Sequence, residues 1–225
     1  TYTESSAASD VYKRQLYSYW RSSAAYRVRI ALNLKGLEYE TVPVSLAPGI
    51  SEHKSNDYRA RNPQGLVPFL EDGNVAVGQS MAILEYLEEA YPSRPLLPQS
   101  TDVRAAVRSF CNSICCDIHP LNNLRVLRYL ELELGVGDTQ RDAWYAHWIH
   151  EGFPAAETAA EQYGGPFLFG ESATLADACL IPQVYNARRF DVSLVAFPKL
   201  QAVDAHCNTL PEFAAAAPEN QPDAQ

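Results

Sequence analysis

Apolar positions change period several times along the first hundred residues. Leu16-Tyr17-Ser18-Tyr19-Trp20 predicts a short strand. Ser22 or Ser23 then starts a helix with Val28, Ala31, Leu32 and Leu34 on one side, and Gly36 stops it. Tyr39 to Val44 alternates and is rich in β-branched residues, which predicts a second strand. Ala47 to Asn62 reads as a loop with a short helix, closed by Asn62-Pro63. Val67-Pro68-Phe69-Leu70 and Val75-Ala76-Val77 flank Asp72-Gly73-Asn74, a hairpin signal. Ser80 opens a helix with Ile83, Leu84 and Leu87 toward the core. Pro92, Pro95 and Pro98 predict a stiff linker, with Leu96-Leu97 as a docking plug. Beyond it every periodic segment is helical. Val103, Val107, Phe110 and Ile114 make one stripe, which His119-Pro120 should kink or break before Leu124, Leu127, Leu130 and Leu134 resume it. A third helix carries Trp144 and Trp148, with Pro154 inside it. Thr174-Leu175-Ala176-Asp177 is a capping-box variant, while Gly164-Gly165 and Pro198 mark loops.

The order βαβ then ββα is that of a thioredoxin-like unit, so the fold class expected is α+β. A thioredoxin-like domain spans 16–97 and an all-helical domain 98–225. Residues 1–15 are treated separately. Asp10-Val11-Tyr12-Lys13-Arg14-Gln15 is the translation of a transposase sequencing-adapter end, so this leader is expected to be a non-native scar.

The net charge of −9 argues against nucleic acid or an anionic membrane as the main partner, since both need clustered Lys and Arg. No apolar run approaches the ~18 residues that span a bilayer. The five cysteines form no CxxC pair, which argues against zinc and against thioredoxin-type redox chemistry. Their odd number, with no secretory signal pattern, points to reduced thiols in the cytoplasm.

Three segments carry candidate chemistry. Ser22-Ser23 puts hydroxyls at a helix N-terminus, where unpaired N–H groups and partial positive charge favour an anion such as a thiolate. A thiol of pKa about 8.5 is only about 3% ionised at neutral pH, and lowering it by about two units takes roughly 2.7 kcal/mol of selective anion stabilisation. One hydroxyl hydrogen bond plus the helix end supplies that order of energy. The plainer role for Ser22 is an N-cap worth about 1 kcal/mol, and Ser23 competes for either role. Val67-Pro68 allows a cis bond that turns the backbone toward a peptide ligand, or simply fixes a strand turn. Gln79-Ser80 offers an amide and a hydroxyl to a carboxylate at the next helix start, or a bare cap.

These residues resemble the zeta class of glutathione transferases, the group that contains maleylacetoacetate and maleylpyruvate isomerases. The resemblance runs from about Leu16 to Ala224. Its signature is similar to Ser22-Ser23-Ala24-Ala25-Tyr26-Arg27-Val28-Arg29-Ile30-Ala31-Leu32, with Ala24 where the family has cysteine and Tyr26 where it has tryptophan. Asn62-Pro63, Val67-Pro68, Gln79-Ser80 and Glu85-Tyr86-Leu87 also match, as do Ile118 to Arg125, Ala187 to Phe190 and Gln221 to Asp223.

The resemblance implies glutathione as cofactor, held by Ser22, Val67, Pro68, Gln79, Ser80 and Asn123. It implies cis–trans isomerisation of a small dianion: the thiolate adds to the double bond, the bond rotates, and elimination returns the thiolate. Catalytic roles fall to Ser22, Ser23, Arg21 and His119, with His119 stabilising negative charge. Arg21, His119, Arg125 and Arg188 or Arg189 bind the substrate carboxylates, which suit arginine's planar fork. Singly, each arginine reads as a solvated surface residue, and His119 as a cap or core residue. Arg27 and Arg29 are expected to be structural or at a dimer edge, Asp177 to cap, and Cys111, Cys115 and Cys116 to fill the core. A homodimer is implied by resemblance alone. Two other readings share the motifs: a transferase or dehalogenase acting on small α-halo acids, and a glutathione-binding scaffold without turnover.

Overall fold

The computed structural model describes residues 14–225. The expected leader therefore lies, up to residue 13, outside the described residues. The first strand, β1 (Gln15–Ser18), starts one residue before Leu16 and ends two before Trp20. It is followed by α1 (Ser23–Lys35), β2 (Glu40–Pro43), α2 (Asn56–Arg61), β3 (Phe69–Asp72), β4 (Val75–Gly78) and α3 (Ser80–Ala90). The sheet order is β2-β1-β3-β4, with β1 parallel to β2 and the other pairs antiparallel. Alternation along β1 sorts the two faces. Leu16 joins Leu70, Ile83 and Leu87 in the main core, while Tyr17 packs with Tyr58 and Phe69 beneath α2. Val67-Pro68 lies just before β3 rather than in it, and that peptide bond is cis.

The expectation for α1 needs correction. Its helix is buried almost all round, from Ala25 to Leu32, because α8 and α10 cover the side that the sheet and α3 leave open. Leu34, expected in the core, is only half-buried. Arg27 and Arg29, at 1% and 0% exposure, are inside the protein. Arg29 satisfies its guanidinium on Ala216 O, Ser18 Oγ and Trp20 O.

The proline linker docks through one buried carboxylate. Glu88 accepts the N–H groups of Leu96 and Leu97 at 2.9 and 3.1 Å and pairs with Lys35 Nζ at 2.7 Å. Leu96 and Leu97 are buried, as a plug should be.

The rest is helical: α4 (Thr101–Asn112), α5 (His119–Asn122), α6 (Leu124–Leu132), α7 (Asp138–Tyr163), α8 (Leu175–Arg189), α9 (Pro198–Cys207) and α10 (Pro211–Ala216). A π-helical stretch, Ser113–Ile118, joins α4 to α5 ahead of Pro120, and extended Asn123 breaks the chain before α6. Such stretches gather at functional sites. Here it sets His119 and Asn123 on the cleft side. At Gly152 of α7 an added Cβ would lie 2.3 Å from Ile118 Cδ1, so the glycine lets the Ile118 side chain pack directly on α7. The α6 stripe is not fully core: Leu127 is buried, but Leu124 and Leu134 are exposed. Thr174 and Asp177 form the expected capping box, and Asp177 also accepts Leu168 N–H at 2.9 Å. At the C-terminus Asp223 accepts the Trp20 N–H at 3.0 Å, tying the tail to the turn between β1 and α1.

Candidate active site

A cavity of about 500 Å³ lies between the sheet-bearing half and the helices. One wall comes from the N-terminus of α1, the loop after β2, Val67-Pro68 and the N-terminus of α3. The other comes from the π-helical stretch, α5, α6 and the C-terminal end of α8. Ser22, Ser23, Arg21, Val67, Pro68, Gln79, Ser80, His119, Asn123, Arg125 and Arg189 all line it. Residues up to about 170 positions apart are thus gathered around one space.

On the first wall three hydroxyls are held in the same sense. Ser22 Oγ caps α1 by accepting the Ala25 N–H at 3.2 Å. Ser23 Oγ accepts from Asn186 Nδ2, and Ser80 Oγ accepts from Arg27 Nη1 at 3.1 Å. A hydroxyl already accepting keeps its O–H free to donate, so each is preset to meet an anion. Capping and anion binding are therefore compatible roles for Ser22. Gln79, the residue before α3, has φ +68, a conformation uncommon outside glycine, and its amide donates to Gln64 Oε1 at 2.7 Å. No side chain caps α3, so its first N–H groups face the cavity end unpaired by a cap. Among the described residues neither the N–H nor the C=O of Val67 joins a backbone hydrogen bond, which leaves both for a peptide ligand.

The second wall is cationic. Among the described residues the whole lining holds five arginines (Arg21, Arg27, Arg125, Arg128 and Arg189) and no aspartate or glutamate. In a chain of net charge −9 this is a strong local inversion. Desolvation in the cleft and the like charge of Arg21 lower the Arg189 pKa, so these two guanidinium groups share one field. Arg128 spans the cleft, donating to Leu46 O at 2.9 Å.

Several expectations are revised. Arg188 is outside the lining and pairs with buried Asp204 on α9; Arg189 alone of that pair reaches the cavity. His119 does line the cavity but not as a cation. Burial, then the nearby charges of Arg27 and Arg125, pull its pKa down to about 3, which leaves a neutral imidazole. Cys115 and Cys116 are not simple core filler, since both line the cavity, while Cys111 is buried as expected. Their thiols are pushed upward, Cys115 by its contact with Cys179 and by burial, Cys116 by burial first, so neither is a ready thiolate. Arg27, expected to be structural, lines the cavity as well. The signal that could have found it was a second charge on an otherwise apolar helix.

Fold and cavity together place an arginine-rich cleft between a thioredoxin-like half and a helical half. Residues 16–95 match the family pattern of the glutathione S-transferase N-terminal domain. A probable maleylacetoacetate isomerase of Vibrio cholerae is 48% identical over 209 residues, covering 93% of this chain and 97% of that protein. A holo structure of maleylpyruvate isomerase, described as a bacterial zeta-class glutathione S-transferase, aligns with TM-score 0.91 and 46% identity, covering 94% of this chain and all of the other. A maleylacetoacetate isomerase of Anaeromyxobacter dehalogenans with glutathione in its active site aligns with TM-score 0.85 and 42% identity, covering 95% and 98%. The chain belongs to the glutathione S-transferase family, in its zeta class.

Proposed function

We propose that the protein is a glutathione-dependent cis–trans isomerase of maleylacetoacetate or maleylpyruvate. The observation that carries this reading is the lining: among the described residues, five arginines and no carboxylate in an acidic protein. A glutathione transferase that needed only to hold its cofactor would have no use for Arg21, Arg125 and Arg189 together. An α-halo acid, with a single carboxylate, would use few of them.

When bound, glutathione supplies a thiolate that adds to the cis double bond, permits rotation and is eliminated. Ser22 stabilises that thiolate with its free O–H, aided by the N-terminus of α1, and Ser23 is its nearest competitor. Val67 pairs its backbone with the peptide, Pro68 shapes that turn, Gln79 and Ser80 complete that wall, and Asn123 reaches the cofactor from the opposite wall. Arg21, Arg125 and Arg189 hold the substrate carboxylates through forked hydrogen bonds. His119, being neutral, donates a hydrogen bond to the substrate's carbonyl oxygen as negative charge gathers there. On this reading residues 16–97 form the glutathione domain and 98–225 the substrate domain. The enzyme works as a homodimer in the cytoplasm, which its five free thiols suit. Elution at monomer size would remove the dimer from this reading.

The test is to add the protein to enzymatically generated maleylpyruvate or maleylacetoacetate and follow the cis-enone absorbance with and without glutathione. Rapid glutathione-dependent loss supports the isomerase. Glutathione binding without turnover moves the reading to the haloacid enzyme or a scaffold.

A further inference from the structure

Arg27 is the most buried of the cavity's arginines, and among the described residues its charge has no partner. It is 1% exposed, and its one hydrogen bond, to Ser80 Oγ at 3.1 Å, uses Nη1 alone. Nε and Nη2 are buried without any acceptor, and among the described residues no carboxylate lies within ion-pair distance of it. A buried guanidinium with unused donors is costly unless something compensates it. Arg29, two residues further along α1 and equally buried, has all three of its nitrogens bonded, so burial on α1 does not by itself force donors to go unused.

Among the described residues, the surroundings of Arg27 offer no anion and several groups that would receive one. Ser80 begins the eleven-residue helix α3, whose uncapped N-terminus is itself partially positive. Arg27 adds a full positive charge to that end. Because a guanidinium only donates, its bond to Ser80 makes the serine an acceptor and turns the serine's own proton toward the cavity. An uncapped helix start, a donating hydroxyl and an uncompensated guanidinium converge on one point.

We propose that Arg27 belongs to the glutathione site as a positioning residue. Its missing counter-ion is the α-carboxylate of the γ-glutamyl unit, which it attracts directly by charge and orients through Ser80. This rests on the glutathione reading above and adds to it a cofactor contact on the middle of α1.

The test compares two ligands by calorimetric titration: glutathione, and 4-aminobutanoyl-cysteinyl-glycine, which lacks only that carboxylate. Wild-type protein should bind glutathione at least about tenfold tighter than the truncated peptide. Arg27→Met should weaken glutathione about tenfold, leave the truncated peptide nearly unchanged, and so erase the preference. Arg27→Lys, which keeps the charge without the fork, should retain part of it. Ligand-free Arg27→Met should also melt no lower than wild type, because a buried uncompensated charge has been removed. Equal losses for both ligands, or a preference that survives Arg27→Met, would overturn the proposal. If Arg27→Met does not fold, its own prediction has failed, and Arg27→Lys with wild type still gives the ligand comparison. Wild-type protein that binds neither peptide would instead overturn the glutathione reading itself.

Discussion

The two walls of the cleft solve the problem of binding anions differently. The thioredoxin-like wall combines two arginines, Arg21 and Arg27, with hydroxyls held in place: Ser22, Ser23 and Ser80 each accept one internal hydrogen bond and keep a proton to give. The helical wall works with the full charges of Arg125, Arg128 and Arg189, which no carboxylate of the lining neutralises among the described residues. The first arrangement suits a constant ligand, because fixed dipoles cost no reorganisation when the ligand arrives. The second suits a substrate that must turn about a bond while bound. Long arginines can follow two carboxylates as the distance between them changes. On the proposed reading, the cofactor meets mostly groups fixed in place, and the substrate mostly long charged side chains.

The comparison breaks most directly at Ser22. Ser22→Ala should lower kcat by about 100-fold, with glutathione affinity much less affected, because the lost bond matters chiefly to the thiolate. The glutathione thiolate absorbance, titrated on the protein, should shift to higher pH by up to about two units in the variant. An unchanged titration would transfer the role to Ser23.

Arg189→Ala should act the other way. It should raise KM for the dianion by about 30-fold, the worth of a charged hydrogen-bonded pair, with a smaller change in kcat. Arg189→Lys should recover only part of this. Should kcat fall while KM stays fixed, Arg189 would belong to the chemical step rather than to binding.

His119 gives a pH signature. Its folded-state pKa, about 3, lies below the ordinary imidazole value, so the unfolded chain takes up the proton first. The stability tied to the neutral ring is complete above the unfolded value and is lost as pH falls toward about 3. Ligand-free wild type should therefore lose between about 1 and 2 kcal/mol more than His119→Gln on going from neutral pH to about pH 5, read by denaturant unfolding. Parallel pH profiles would mean that the ring is solvated.

Arg188→Ala sharpens the contrast with the smallest effect. It should leave KM unchanged and cost about 1 kcal/mol of stability, because its exposed guanidinium serves buried Asp204 and not the cavity. A raised KM would return Arg188 to the substrate wall.

Much of the first wall was legible without a structure because its signals are local. A serine before an apolar helical run, a proline after two apolar residues, a hairpin turn around Asp72-Gly73-Asn74: each is written within a few neighbouring positions. The capping box at Thr174 and Asp177 and the plug at Leu96-Leu97 were readable for the same reason. Resemblance, more than periodicity, connected His119, Asn123 and the arginines to that wall.

What the chain alone determined, then, was the order of its elements and the residue types at their starts and stops, since caps, turns and hydrophobic period depend on near neighbours. Tertiary structure decided the rest. It separated adjacent Arg188 and Arg189, sending one to Asp204 and the other to the cavity. It made His119 neutral by enclosing it beside Arg27 and Arg125. It wrapped α1 in α8 and α10, so that Arg27 became a buried charge instead of a surface one. Each of these outcomes depends on solvent exclusion and on charges brought together from distant positions, which no local pattern records.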